Sequence, residues 1–343
     1  MPTVLPASVF PADGGALDLL DKRLSKALFR LQLGWFLEAW LSIPGCFFGM
    51  PAFHVVAPSL VAGALGGWRD ASAQSLVVLA ATAALLVAFW LYAQSSTAHM
   101  KKAKLLYLPP ALIASPVLGM LLVHAVAAAD ASAKGAAAFY LLVWNASIAP
   151  VITAKALAGR RRPVACDAAH IGSDVVQAAG SKALSNICTM LRSGDPNAAF
   201  PSGDVAGAVA FAYPLWRGCV ASSAALSAPV LRATAVLCVL LSATGRMYWQ
   251  AHHLLDVTCG GLISLVTCVA LDLGLGAFAP VPTTTTSKGR GGGGGGDGCV
   301  ATTLWWHPFA GLALLVVYAK LSGTQKGAAL ASRGPRNNND KAK

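Results

Sequence analysis

Long apolar runs with almost no charge constrain this chain more than any other feature of its sequence. Charged residues make up only 12% of the 343 positions, whereas soluble proteins carry about 25%. Six runs approach the length of about 20 residues that a membrane-spanning helix needs. They are residues 75–93, 105–128, 135–154, 203–216, 229–245 and 254–278. The sequence therefore predicts an all-α, polytopic membrane helix bundle with a six-span core at residues 75–280.

The N-terminal segment, residues 1–70, differs from this core. Its apolar run is interrupted by Glu38, Pro44, Pro51 and Pro58, which predicts broken hydrophobic helices. One broken span, two short spans and a re-entrant hairpin all fit this pattern, and the sequence does not decide between them.

Three further segments follow the core. Residues 281–302 consist of a Thr run and a Gly run, which predicts a disordered linker. Residues 303–321 are apolar and carry Trp305 and Trp306, side chains suited to a membrane interface, so a last span is predicted there. Residues 322–343 are polar and basic, which is typical of a disordered tail.

The formal net charge of +12 is also typical of proteins that bind nucleic acids. Here the Lys and Arg residues collect at the ends of apolar runs and in the tail, as positive-inside bias predicts. Zinc-ligand spacing, RNA-binding motifs and basic helices with interleaved aromatic residues are missing from the sequence. We therefore predict a lipid bilayer as the environment and no nucleic-acid partner.

Cysteine usage and the N-terminus bear on location. The eight cysteines form no CxxC pair, so no metal is predicted, and most behave as small apolar residues. A disulfide between Cys166 and Cys188, which share a polar loop, would require an oxidising compartment. The N-terminus lacks the pattern of a cleaved signal peptide. A multi-pass protein of an endomembrane such as the endoplasmic reticulum is expected.

Three polar clusters stand at the ends of predicted spans, where ionisable groups usually mark function. The first runs from Lys155 to Pro163, the second from Pro201 to Asp204, and the third from Arg246 to Asp256. Counting membrane crossings puts all three clusters on the same face of the membrane. Composition alone does not require this convergence, so it is the strongest functional signal in the sequence.

The residue types in these clusters suit a phosphate ester. Lys155, Arg162 and Arg246 can neutralise its charge, while Ser202 and the N–H groups at Gly203, at a helix start, can bind its oxygens. His252 and Asp256 are four residues apart and so share a helix face. Asp256 can then hold one imidazole nitrogen and leave the other free as a nucleophile. This chemistry needs no metal or other cofactor.

Together the clusters resemble the signature of the type 2 phosphatidic acid phosphatase (PAP2) superfamily, K-x6-RP, PSGH and SR-x5-H-x3-D. The first motif matches completely, and the third matches except for Gly245, where the family has Ser. The resemblance covers about residues 75–278. It implies a lipid phosphatase that forms a phosphohistidine at His252, with Asp256 orienting the ring and the basic residues binding phosphate.

The second motif departs from the family pattern, because Asp204 stands where the family has the His that protonates the leaving group. A carboxylate beside a phosphate is repelled, which predicts a raised pKa. A protonated Asp204 can then serve as the general acid. The adjacent His253 is a less favoured substitute, since it lies about 100° from His252 around a helix.

The predicted substrate is a membrane lipid phosphate, a phosphomonoester or diphosphate such as phosphatidate. Two alternatives remain: a transferase that passes the phospho group or headgroup to another acceptor, and a catalytically weak protein that binds lipid phosphates. Each cluster alone also has a plain explanation, as a basic flank, a helix cap or a local His–Asp pair. Positive-inside bias favours a cytosolic site, whereas the resemblance implies a lumenal or outer one, so the side stays open.

Overall fold

The computed structural model describes residues 16–65, 77, 80, 81, 84, 114–125, 131–165, 174, 198–217, 226–278 and 313. All regular structure in these residues is helical, which confirms the predicted fold class. The helices are α1 (Ala16–Arg30), α2 (Trp35–Phe47), α3 (Ala57–Ala64), α4 (Ala114–Ala125), α5 (Ala131–Ala158), α6 (Gly203–Arg217), α7 (Ala228–Tyr248) and α8 (Leu254–Leu275). Short 3-10 turns lie at Pro51–Val55 and Pro163–Ala165.

Three helices are long and apolar enough to cross a membrane. They are the segments Ala133–Lys155, Ala228–Tyr248 and Leu254–Leu275, which coincide with the third, fifth and sixth predicted spans. The predicted fourth span forms α6, whose 15 residues give a length of about 22 Å, shorter than a hydrocarbon core of about 30 Å. Six spans therefore remain a prediction.

Several predicted features lie outside the described residues. Helix α4 is the described part of the second predicted span, and only four positions of the first are described. The Thr/Gly linker, the tail, Cys166 and Cys188 are not among the described residues, and of the last predicted span only residue 313 is.

The centre of the bundle is α5, whose membrane-crossing segment is almost entirely buried. Its small residues and the buried aromatic rings of Phe139, Tyr140 and Trp144 pack against α3, α6 and α8. Helices α7 and α8 instead present apolar side chains such as Leu240 and Leu262 to the outside. Such a surface is unfavourable in water and favourable against lipid chains.

The N-terminal segment folds onto this bundle as separate short helices. Helix α2 packs along α7, and α3 packs along α5. The chain turns between them through the 3-10 turn that begins at Pro51.

Helix α1 has its polarity reversed relative to a soluble protein. Asp18, Asp21 and Ser25 are buried, whereas Leu20 and Leu24 are more than half exposed. An amphipathic helix in this orientation faces polar groups of the protein and presents its apolar side to a lipid surface.

Asp272, a charged residue near the C-terminal end of α8, is paired with side chains at the C-terminal end of α6. Its carboxylate accepts hydrogen bonds from the Tyr213 hydroxyl at 2.8 Å, the Arg217 Nε at 2.9 Å and the Phe278 backbone N–H at 3.1 Å. Because a charge in a membrane is stable only when paired, this cluster fixes α6 to α8.

Candidate active site

Four helix ends meet at one end of the bundle: the C-terminal ends of α5 and α7 and the N-terminal ends of α6 and α8. The Ser202 backbone N–H donates to the Asp256 carbonyl at 2.8 Å, which joins the start of α6 to the first turn of α8. A Cβ on Gly260 would lie 2.2 Å from the Ser202 carbonyl oxygen, so only glycine permits this approach. The predicted convergence of the three clusters at one end is present.

The end of α5 determines which arginines of the first cluster are buried and which is exposed. Gly159 has a φ of 56°, the left-handed conformation that terminates helices. The chain then leaves the helix, so that Arg160 and Arg162 are buried while Arg161 is exposed. Arg162 donates from Nη1 to the Ala251 carbonyl at 3.1 Å, next to His252.

His252 and Asp256 lie close together, although not on one helix face as predicted, because α8 begins at Leu254 and His252 precedes its N-cap, His253. Both are almost fully buried, and His252 Nδ1 lies 3.7 Å from Asp256 Oδ2. This is ion-pair distance, slightly beyond a hydrogen bond. Asp256 Oδ2 also accepts the His253 backbone N–H at 2.8 Å, which caps the start of α8. The carboxylate is therefore held beside the ring on its Nδ1 side.

Three cations surround this imidazole. Burial lowers the pKa of His252 well below its usual range, and the charges of Arg162, Lys155 and Arg246 lower it further, against the opposing effect of Asp256. Lys155 Nζ is held by the Ala198 carbonyl at 3.0 Å. A neutral imidazole among cations is the form that can attack an electrophile bound by those cations.

The start of α6 supplies the anion-binding end of a helix. Ser202 caps it, with its carbonyl accepting the Ala206 N–H at 3.2 Å, and Gly203 follows as the first helical residue. Ser202 itself is buried. The partial positive charge at this N-terminus adds to that of the cations.

Asp204 forms an ion pair with Arg246. The Asp204 Oδ2 lies 2.9 Å from the Arg246 Nε, so the acidic residue of the second cluster is in direct contact with a cation of the third. The side chain also packs against the turn that follows α2, because a Cβ on Gly49 would lie 2.2 Å from Asp204 Oδ1.

Helix α2 also accounts for Gly245, the other departure from the family motifs. A Cβ at Gly245 would lie 2.2 Å from the Leu41 carbonyl oxygen of α2. A serine therefore cannot occupy this position while α2 packs against α7. Position 245 thus lies against α2 and Asp204 against the turn after it, and both contacts come from the N-terminal segment.

Three residues that were not predicted as site residues support the site: Arg160 binds Asp256, and Asp18 and Asp21 bind Arg160. Arg160 was assigned only to the basic flank, yet its Nη1 donates to Asp256 Oδ1 at 2.6 Å. Asp18 and Asp21 of α1 bind the same guanidinium, each at 2.6 Å. Their signal was present as a polar stripe with Ser25 at spacings of three and four residues within a Leu-rich helix.

No group of three or more His, Cys, Asp or Glu side chains suited to a metal ion occurs in the described part of the chain. The site is instead an imidazole–carboxylate pair beside three cations and a helix N-terminus. This arrangement lies at one end of a helical bundle in which three of the described helices are long and apolar enough to cross a membrane, and it puts an imidazole beside groups that can bind an anion.

Comparison with known proteins agrees with this description. Residues 135–273 match the model of the PAP2 superfamily, and the chain therefore contains a PAP2 superfamily domain. The matched region includes all of the predicted site residues and excludes α1 and α2. The match over these residues supports a phosphatase-type activity. Neither the curated proteins nor the solved structures gave a significant match.

Proposed function

We propose that this protein is an integral membrane lipid phosphate phosphatase that hydrolyses a phosphomonoester or diphosphate of a lipid through a phosphohistidine. The observation that carries the proposal is geometric: buried His252 lies beside Asp256, Arg162 binds the carbonyl of the adjacent Ala251, and Arg246 lies at the start of α6. These cations would bind the headgroup phosphate at the end of the bundle. The acyl chains could then remain in the bilayer, against the apolar surfaces of α7 and α8.

The reaction has two balanced steps. The His252 Nε2 lone pair attacks phosphorus, the P–O ester bond breaks, and the leaving lipid oxygen takes a proton from Asp204. A water molecule then attacks the phosphohistidine, gives its proton back to Asp204 and displaces the imidazole. The net products are a lipid alcohol and inorganic phosphate. Lys155, Arg162, Arg246, Ser202 and the Gly203 N–H stabilise the charge on the phosphoryl oxygens in both steps.

The test is phosphate release by the purified protein from a panel of lipid phosphates and diphosphates, with EDTA present. A His252→Asn preparation purified identically gives the contaminant background. Release of inorganic phosphate above this background supports hydrolysis. Appearance of the phospho group or headgroup on an added lipid alcohol, without free phosphate, would identify a transferase. Binding of these lipids with neither product would identify a lipid-phosphate binder, and activity lost in EDTA would contradict the metal-free mechanism.

The acid role of Asp204 predicts a dependence on the leaving group. Asn cannot donate the proton, so Asp204→Asn should lower turnover of an alkyl phosphate by about 100-fold. A nitrophenyl phosphate, whose leaving oxygen needs no proton, should be affected far less. Turnover numbers for both substrates measure this.

Comparing the alkyl and nitrophenyl substrates controls for the lost ion pair between Asp204 and Arg246, because this loss affects turnover of both substrates alike. Equal losses on the two substrates would show that Asp204 binds or orients the site without donating a proton.

The pH dependence of kcat/KM should report the cations around His252. Its neutral form is the nucleophile, so activity falls as the pH drops through its depressed pKa. Arg162→Gln removes a positive charge, which raises the pKa of His252 and moves this acid limb to higher pH. The same change should lower kcat/KM by about 100-fold through loss of a phosphate ligand.

Arg161→Gln is the matched control, because Arg161 is the exposed neighbour and loses the same charge. Its acid limb should coincide with that of the unaltered protein. Ionisation of the substrate phosphate is common to all three proteins and cancels in the comparison. Lys155, Arg246 and Asp256 are unchanged in Arg162→Gln. An acid limb that stays in place or moves to lower pH in this variant would therefore contradict the assignment of that limb to His252.

A further inference from the structure

A buried ion cluster joins the N-terminal helix to the candidate site. Its centre is Arg160, whose side chain is only 3% exposed. Its Nη2 donates to Asp18 Oδ1 and Asp21 Oδ2, both at 2.6 Å, and its Nη1 donates to Asp256 Oδ1 at 2.6 Å. We call these four residues the Arg160 cluster.

The same helix also caps α8 directly. The first N–H groups of a helix have no partner within it. Here the Leu255 N–H donates to Asp21 Oδ1 at 2.8 Å, and the Leu254 N–H donates to Ser25 Oγ at 2.9 Å. Asp21 thus uses one carboxylate oxygen for α8 and the other for Arg160, so that α1 fixes both the helix and the cluster.

The consequence falls on Asp256. Its Oδ1 accepts from Arg160, and its Oδ2 accepts the His253 N–H and faces His252 Nδ1. With both oxygens held, the carboxyl plane cannot turn away from the imidazole. Which ring nitrogen carries the proton is set by the group beside it, so the cluster determines which nitrogen is free to attack.

We propose that Asp18, Asp21 and Arg160 are positioning residues for phosphoryl transfer, which makes helix α1 part of the catalytic machinery although the family domain begins at residue 135. The inference rests on the proposed function. None of the three residues contacts the reacting atoms in the proposed reaction. They act by orienting Asp256, which orients His252.

The chemistry of arginine explains why this residue occupies the centre. Three carboxylates approach one cation from different directions, and the planar guanidinium has five N–H donors in a fixed arrangement. A lysine ammonium is a compact charge and cannot reach all three at these distances. Arg160→Lys should therefore retain the charge and still lose the orientation of Asp256.

The direct test is Asp21→Asn in the full-length protein. Asn keeps an oxygen for the Leu255 N–H and removes the negative charge that faces Arg160. Rapid-quench measurements with a radiolabelled lipid phosphate give the rate constant and the stoichiometry of phosphohistidine formation. We expect the rate constant to fall by about 10–100-fold, as for other residues that orient a catalytic ligand. KM should change by less than about 2-fold, and the stoichiometry should stay unchanged.

Asp174→Asn is the matched control, because Asp174 is exposed and pairs with Arg30 at the far end of α1. It should leave the rate constant unchanged, while Asp21→Glu, which keeps the charge, should recover part of the loss. Should Asp21→Asn fail to fold, Asp18→Asn and Arg160→Lys provide the same measurement.

Two results would overturn the proposal. One is an unchanged rate constant in Asp21→Asn and Arg160→Lys. The other is a lower stoichiometry with an unchanged rate constant, since this indicates only a loss of folded protein. Failure of the proposed function looks different, because the unaltered protein would then form no phosphohistidine and release no phosphate.

Discussion

Replacement of His252 by Ala is expected to lower phosphate release by about 1000-fold or more, because loss of a nucleophile removes the covalent route altogether. The variant should also form no phosphoenzyme. Quenching the reaction with radiolabelled substrate and testing the labelled protein for an acid-labile, base-stable bond measures this, since phosphohistidine has both properties. The expectation follows from the position of His252, buried beside Asp256 and under the influence of three cations.

His253→Ala is the matched control for this experiment. His253 is the adjacent residue, equally buried, with its ring packed edge-on against Phe29 of α1. Its backbone N–H still reaches Asp256 after the substitution. The His253 variant should retain the labelled phosphoenzyme. If the label persisted in His252→Ala and disappeared in His253→Ala, the nucleophile would be His253 and the proposed role of His252 would be wrong.

Restoring the family serine at position 245 is expected to destabilise this protein. The Cβ of Gly245→Ser would lie 2.2 Å from the Leu41 carbonyl oxygen, a backbone atom that cannot move without displacing α2. Overpacking of this kind costs about 1–3 kcal/mol. The displaced α2 would also strain the hydrogen bond from the Tyr248 hydroxyl to Glu38. Thermal unfolding in detergent measures the loss of stability.

Gly261→Ser makes the same chemical change within a helix where space is available. A Cβ at Gly261 meets only the side chains of Val205 and Val209, at 3.6 and 3.8 Å, which are ordinary contacts. Serine also has a higher helix propensity than glycine, so this control should unfold no earlier than the unaltered protein. If Gly245→Ser were as stable as Gly261→Ser, the packing of α2 against α7 described above would be wrong.

Much of this architecture could be predicted from the sequence because its determinants are local. Apolar runs of spanning length predicted the helices around Lys155, Arg246 and Asp256, and their order put the polar clusters at one end. The spacing of four between His252 and Asp256 predicted that they share one helix face, which is wrong, because His252 precedes the N-cap of α8 and its ring lies near Asp256 from the preceding turn.

The residues that escaped prediction depend on contacts distant in sequence. Asp18 and Asp21 are ordinary polar positions of a short helix until Arg160 and the start of α8 are placed against them. In the sequence, Gly245 is only a position that differs from a motif, because no nearby residue indicates that Leu41 of α2 packs against it. Pairing of α1 and α2 with the bundle is a tertiary property, and no period in the sequence encodes it.

The large sequence separation between Asp21 and Leu255, which are in contact, has a consequence for biogenesis. These residues are 234 positions apart, so α1 leaves the ribosome long before its partner helix is made. Arg160 precedes residue 255 in the chain, so the guanidinium is made before the helix start that Asp21 and Ser25 bind. A nascent chain that ends before α8 lacks Asp256 as well as this helix start, so the candidate site is complete only after α8 has been made.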